Sequence, residues 1–244
     1  MRIIITGSAG YVGSQLVKEL KGHELLLADK KTGIDLTDNF YNKYKDFKPD
    51  LIYHLAAQVD IQKAKKFPEL FMRDNILATI EVCKFDAKII FNSSGSVYGD
   101  ATVIPTPETY PKNPQNIYAI TKSISEEFIE KKDKYVILRI ANIFGGVGGN
   151  GIFEKFKKGA TIYGDGKETR DYVHLDDIIS ALIKAQDWKN GIYNISTGTE
   201  TSVNQVADLM GVKKTYIPSV NSQKRSCLDN SKAIKMGWHP VIKL

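Results

Sequence analysis

Tyr118 and Lys122 stand four residues apart in Tyr118-Ala119-Ile120-Thr121-Lys122, at the start of a segment with helical apolar spacing that runs through Phe128 and Ile129. On a helix, that spacing puts both side chains on one face, about 6 Å apart along the axis. An ammonium so placed stabilises a phenolate, and a phenolate can take the proton of a hydroxyl group. Bringing a phenol from about 10 toward neutrality needs roughly 4 kcal/mol of differential stabilisation, which two nearby cations can supply. The stretch Asn92-Ser93-Ser94-Gly95-Ser96-Val97-Tyr98-Gly99 follows an apolar strand. A serine at such a strand end could hydrogen-bond the same hydroxyl and help its proton leave. Tyr-x-x-x-Lys is common on helices by chance, so its meaning depends on the elements that hold it.

The first of those elements opens the chain. Ile3, Ile4 and Ile5 form an unbroken β-branched run, as a strand buried on both faces requires, and Val12, Leu16, Val17 and Leu20 then recur at helical intervals. Between them lie Gly7, Gly10 and Gly13. Glycines there permit a tight turn, close approach of a diphosphate to the backbone, and close helix-strand packing, with the helix N-terminal amides facing the phosphates. A second strand, residues 23–28, ends at Asp29. A carboxylate at that position accepts from the adenosine ribose hydroxyls and repels the 2′-phosphate of NADP, which favours NAD, although Lys30 and Lys31 pull the other way. A third strand leads through Leu51 into His54-Leu55-Ala56-Ala57, whose small residues let a cofactor lie against the backbone, with His54 read as a packed strand-end residue. A helix over 68–85 carrying Asn75 and a strand over 87–91 continue the β-α-β series. The expected fold is α/β, a doubly wound parallel sheet with sites at the carboxyl ends of its strands.

The composition fits a globular protein of one large domain, or one domain with a smaller lobe: 244 residues, 42% hydrophobic. With no long apolar run and no leader-like start, neither a membrane span nor a secretory signal is expected, and the expected location is cytoplasmic. Cys83 and Cys227 are read as reduced thiols, and the four histidines do not cluster, so no metal site is expected. The net charge of +6 is spread along helices without a basic block, which argues against nucleic acid and suits an anionic nucleotide ligand.

Several motifs together resemble the extended short-chain dehydrogenase/reductase family, specifically its NAD-dependent nucleotide-sugar epimerases and dehydratases, of the UDP-glucose 4-epimerase kind. They are TGSAGYVG at 6–13, HLAA at 54–57, SSGSVYG at 93–99, YAITK at 118–122, LRIANIFG at 138–145 and YGDGKETRDYVHLDD at 163–177. The likeness continues through YNISTGTETSVNQVADL at 193–209 and RSCLDNSKAIKMGWHP at 225–240. It implies a Rossmann-type NAD domain over 1–145, rejoined by 171–190, and a small, shortened α/β substrate lobe over 146–170 and 191–244. It places Gly7, Gly10, Tyr11 and Val12 at the NAD diphosphate, Asp29 at the ribose and Asp35 and Leu36 near adenine. Leu55, Ala56, Ala57, Asn75 and Ser93 line the rest of the groove, with Tyr118 and Lys122. Ser94, Tyr118 and Lys122 form the catalytic triad. Asn142 meets the substrate diphosphate, Tyr163 the base region and Arg170 the phosphates through its fork of donors.

The chain also departs from the pattern. Ser219 stands where epimerases commonly carry a phosphate-binding arginine, a role Arg225 or Lys224 would have to take over. Gly95 and Ser96 replace the Asp-Glu pair of the 4,6-dehydratases and the glutamate of the decarboxylases, which argues against both reactions. Residues 145–151 are read as a flexible substrate loop. Ser202 to Gln205 has capping-box spacing and opens a lobe helix, while His174, Asp176 and Asp177 are read as a helix start and its cap. The expected activity is C4 epimerisation of a UDP-hexose through a 4-keto intermediate, in a homodimer joined through the Tyr118 helix and its neighbour. An NAD(P)H-dependent reductase of a nucleotide-linked 4-keto sugar and a catalytically idle nucleotide sensor stay open beside it.

Overall fold

In a computed structural model, residues 1–149, 151–157, 159–218 and 224–244 are described. The apolar runs form strands β1 (Arg2–Thr6), β2 (Glu24–Ala28), β3 (Leu51–His54), β4 (Lys88–Ser94) and β5 (Tyr135–Ile140). With β10 (Gly191–Ile195) they make one six-stranded sheet of order β10-β5-β4-β3-β1-β2, every pair parallel. Alternation explains why the isoleucine run is unbroken. Ile3 and Ile5 enter the core beneath the helices Tyr11–Glu19 and Leu175–Lys184, while Ile4 enters the opposite core with Phe40, Val82 and Phe85.

In this order β1 lies between β2 and β3, so the chain leaves β1 on one side and returns on the other. That reversal opens a crevice at the strand ends, where ligands bind in such sheets. In register, Thr6 pairs with Ala28 and with His54, and Ser94 with Ile140, which brings the loops after these strands to one rim.

The remaining strands are β6 (Asn142–Phe144), β7 (Ala160–Tyr163), β8 (Thr169–Arg170), β9 (Tyr172–His174), β11 (Thr201–Ser202), β12 (Lys214–Ile217) and β13 (Arg225–Ser226). β7 pairs with β12, and β8 joins β11 and β13, over a small core of Phe156, Ala160, Ile162, Tyr172, Val206 and Ala207. The helix Val203–Leu209 opens with the expected capping box of Ser202 and Gln205. His174 caps the helix Leu175–Lys184, accepting from Asp176 N at 3.2 Å.

The lobe boundary at residue 191 needs correction. Residues Gly191–Ile195 are the sixth strand of the main sheet, and Ala233 and Trp238 pack into its core. The expected helix over 68–85 forms, but Met72–Leu77 adopts a π-turn between the α-helical segments Pro68–Phe71 and Ala78–Cys83.

Candidate active site

The first turn is built as its glycines require. Gly7 has φ +70°, and a Cβ on it would lie 2.8 Å from Ala56 N. A Cβ on Gly13 would lie 2.1 Å from Gly7 O, so only glycine lets the helix sit this close to the strand. Ser14 N bonds Gly10 O at 3.0 Å, and the preceding amides of Tyr11, Val12 and Gly13 point out of the helix end into the crevice. At this end the Asp29 carboxylate accepts from Lys31 N at 2.8 Å and Ala9 N at 3.1 Å, which fixes it beside the turn. Lys30, whose charge would suit a 2′-phosphate, is instead paired with Asp74 at 2.8 Å and Asp35 at 3.2 Å. Lys31 Nζ reaches Ala9 O at 3.4 Å.

The crevice encloses about 900 Å³. Gly7, Gly10, Tyr11, Val12, Asp29, Asp35, Leu36, Leu55, Ala56 and Ala57 line one arm, and Ser93, Ser94, Tyr118, Asn142 and Arg170 line the other. The structure therefore brings most of the expected site to one surface. Asn92 lines it too, with its Oδ1 buried and without a hydrogen-bond partner among the described residues. An orphaned acceptor here, the free helix amides and the ribose-side carboxylate all match the donors and acceptors of a dinucleotide.

The reacting end centres on Tyr118, at the start of the helix Ile117–Ile129, which Asn116 caps through Ala119 N at 2.9 Å. Burial pushes the Tyr118 phenol up to about 12, and its hydrogen bond with Ser94 pulls the other way. Ser94 Oγ also accepts from Ser96 N at 3.2 Å, which orients it at the strand end. Lys122 is buried; its Nζ donates to Asn92 O at 2.6 Å and lies 4.6 Å from the Phe91 ring centre. Burial lowers its pKa to about 7, against the opposing pull of Glu126. The bond to Asn92 O holds Lys122 against β4, one helical turn beyond Tyr118.

Behind these groups lies a polar network that motif reading missed. Glu126, one helical turn past Lys122, accepts from Ser93 Oγ at 2.6 Å and from Arg139 Nε and Nη2 at 3.0 and 2.7 Å. It joins the catalytic helix to β4 and β5. The i, i+4 continuation from Tyr118 through Lys122 to Glu126 was the available signal.

Four further expectations are revised. Asn75 does not line the crevice: it is buried in the π-turn, bonded to Gln58 N at 2.7 Å and Thr121 Oγ1 at 2.8 Å, and so holds the loop after β3. Ser93 contributes backbone to the wall, because its hydroxyl is spent on Glu126. Tyr163 is 63% exposed and stands outside the crevice. Arg225 is also outside it, bound at Nε and Nη2 by Glu200. Ser219 lies outside the described residues. His54 is a packed residue, bonded to Thr6 and Thr79 and lowered to about 3 by burial. Cys83 and Cys227 are free thiols. Among the described residues no three potential metal ligands converge, and no helix is long and apolar enough to cross a membrane.

A parallel sheet with a dinucleotide turn at one strand end and a Ser-Tyr-Lys constellation at the next defines an NAD-linked protein of the short-chain dehydrogenase/reductase type. Residues 3–196 match the family model for the NAD dependent epimerase/dehydratase family, and the chain belongs to that family. A putative UDP-glucose 4-epimerase of Methanocaldococcus jannaschii is 32% identical, over 99% of this chain and 94% of its own length. A UDP-glucose 4-epimerase of Mycolicibacterium smegmatis is 31% identical, over 100% of this chain and 95% of its own. The crystal structure of the Thermotoga maritima UDP-glucose 4-epimerase with UDP-glucose superposes with a TM-score of 0.90 at 28% identity, covering 100% of this chain and 94% of that one. The first of these alignments runs over 287 positions against 244 residues here, so the shortening is internal. NAD is the cofactor of the family, and the Asp29 end of the crevice fits it.

Proposed function

We propose that this protein interconverts C4 epimers of a UDP-linked hexose, with Tyr118 as acid/base, Ser94 as its hydrogen-bonding partner and Lys122 as the cation beneath them. The observation that carries this reading is that, among the described residues, Ser94 and Tyr118 line the reacting end of the crevice and no carboxylate does. Its lining carboxylates, Asp29, Asp35 and Asp74, lie at the other end around Lys30. Where dehydratases of the family place an aspartate, Gly95 packs against Leu228, whose Cδ1 would be 2.9 Å from a Cβ there. A side chain in that place would have to displace the end of the buried Leu228 side chain.

NAD, when bound, supplies a reversible hydride acceptor for C4. Tyr118 takes the proton of the C4 hydroxyl, Ser94 shares that hydrogen bond, and the same tyrosine returns the proton after the keto sugar has turned its other face. Burial raises the phenol and Ser94 opposes it, so the positive charges of Lys122 and of NAD, when bound, would favour the phenolate. Asn142 and Arg170, at the substrate side of the crevice, are the proposed diphosphate contacts. The relatives' names support UDP as the nucleotide carrier.

We further assign a homodimer through the helix Ile117–Ile129 and its neighbour, supported by the exposed Met72, Leu77 and Phe128 on these two helices, and a cytoplasmic location. Sedimentation checks the first. Proton NMR of the purified protein with UDP-glucose, UDP-galactose and their N-acetyl and uronic counterparts, without added reductant, tests the activity. C4 epimer formation without net NADH is the expected outcome. Unchanged sugars with NAD bound would overturn it.

A further inference from the structure

The Tyr11 side chain leaves the dinucleotide turn and ends in the substrate half of the molecule. Its backbone is the first residue of the helix after Gly10, in the turn proposed to hold the cofactor diphosphate. Its hydroxyl donates to the carbonyl of Gly145, at the start of the glycine-rich stretch after β6. Burial, then the carboxylates of Glu154 and Asp176, push the phenol up, so it serves as an O–H donor throughout the physiological range.

The loop is shaped to receive this ring. A Cβ on Gly149 would lie 3.0 Å from Tyr11 Cζ and 3.2 Å from its Oη, and one on Gly146 would lie 3.6 Å from Cε2. Gly145 has φ +81°, and a Cβ there would lie 2.1 Å from His174 Nε2. The peptide of Gly145 is therefore held between the Tyr11 hydroxyl on one side and the His174 ring on the other. Gly148 lines the crevice, as does Asn142, three residues before Gly145. Thus one side chain bridges the turn that receives the dinucleotide and the wall that carries the proposed sugar-nucleotide contact.

We infer that Tyr11 is a positioning residue for the second ligand: its hydroxyl fixes the 145–149 wall in the shape that binds the nucleotide of the sugar substrate, and so couples that site to the dinucleotide turn. The inference rests on the UDP-sugar reading above. Coupling of this kind requires an element touched by both sites, and free energy shared through it is reciprocal. Tyr11 meets the first condition directly.

The test uses the NAD-loaded protein and UDP itself, titrated by calorimetry, so that no catalytic step enters the readout. Tyr11→Phe keeps the ring and removes one hydrogen bond. UDP should bind roughly three- to tenfold more weakly, the value of one such bond, with NAD content and Tm retained. Gly149→Ala reaches the same contact from the loop: its backbone is not left-handed, but its methyl group would crowd the ring. It should weaken UDP binding by a similar factor, and the double variant should be little worse than the weaker single one, because both act on one contact.

Equal UDP affinity in Tyr11→Phe and the parent would overturn the inference, as would loss of NAD in proportion to loss of UDP, which would confine Tyr11 to the cofactor turn. Additive losses in the double variant would show two separate effects and also overturn it. If the parent does not bind UDP at all, the nucleotide reading itself falls, and this inference falls with it. If the parent binds UDP and the variants match it, only the coupling falls.

Discussion

The two halves of the crevice are held by different physics. On the cofactor side and beneath the reacting tyrosine, each group is fixed by long-range partners: Glu126 and Arg139 across helix and sheet, Asn75 against Gln58, Asp29 on the turn amides. On the substrate side the strands are two to four residues long, and the ion pair Glu200–Arg225 lies at the surface. The sheet half is preorganised before any ligand arrives. The lobe half depends on a small core, on the Tyr11 contact, and on what the substrate itself contributes.

The largest test falls where the preorganised half does chemistry. Tyr118→Phe should lower turnover by about two to four orders of magnitude while NAD remains bound, because the phenyl ring fills the same space without a proton to exchange. Single-turnover kinetics with a measured NAD content checks this. Turnover within tenfold of the parent would remove Tyr118 from the mechanism and return the catalytic assignment to the other groups on that wall.

Next come the two ion pairs, which give the comparison its clearest contrast in stability. Glu126 and Arg139 are almost fully buried, so Glu126→Gln leaves a buried guanidinium without its counter-charge and should cost about 3–5 kcal/mol in urea unfolding. Glu200→Gln breaks a pair whose arginine side chain is 57% exposed and should cost less than about 1 kcal/mol. Similar losses in both would mean that the lobe is as tightly built as the sheet.

Lys122 offers a pH test of the same half. Its pKa falls from 10.5 unfolded to about 7 in the fold, chiefly by burial. Between those values the unfolded chain holds more protons than the folded one, so this group makes stability rise with pH from about 7 toward 10.5; the cost of burying its charge is felt in full below that window. Lys122→Met should remove that slope. Chemical denaturation at pH 6.5 and 9.5 reads it, and an identical slope in the variant would show that Lys122 is not desolvated as described.

The sequence exposed the two halves unequally, for a physical reason. Ile3 to Ile5, Leu51 to Tyr53 and Ile89 to Phe91 are continuous apolar runs because both faces of a parallel strand are buried, and such runs can be read without knowing what they touch. The glycine turn is equally local, since its backbone needs are met within a few residues. The lobe is different. β8 is two residues long and exists only because residues 201–202 and 225–226 come to it from far along the chain. Its pattern puts Asn75 on a helix, but the π-turn that contains it, buried against Gln58 and Thr121, has no comparable signature. Tyr163 is a more instructive miss. In Ala160-Thr161-Ile162-Tyr163 the alternation of buried and exposed residues puts the tyrosine on the outer face, and period-two reading of those four residues would have shown it.

Arg225 carries the smallest and most discriminating prediction. Motif position alone made it a candidate to replace the phosphate-binding arginine missing at Ser219. Glu200 engages it at two nitrogens, and it stands off the crevice wall, whereas Arg170 lines that wall and donates to Thr169 O at 2.7 Å. A bidentate carboxylate occupies the donors that a diphosphate would need, and releasing them would cost the pair its own interaction. Arg225→Ala should therefore change the KM for the UDP-sugar by less than about twofold, within the range of a surface pair. Arg170→Ala should raise it by roughly tenfold or more, as loss of a charge-assisted contact does. A large KM effect at Arg225 would mean that substrate binding takes it from Glu200 and remodels the lobe around the diphosphate, making the lobe a half assembled by its ligand.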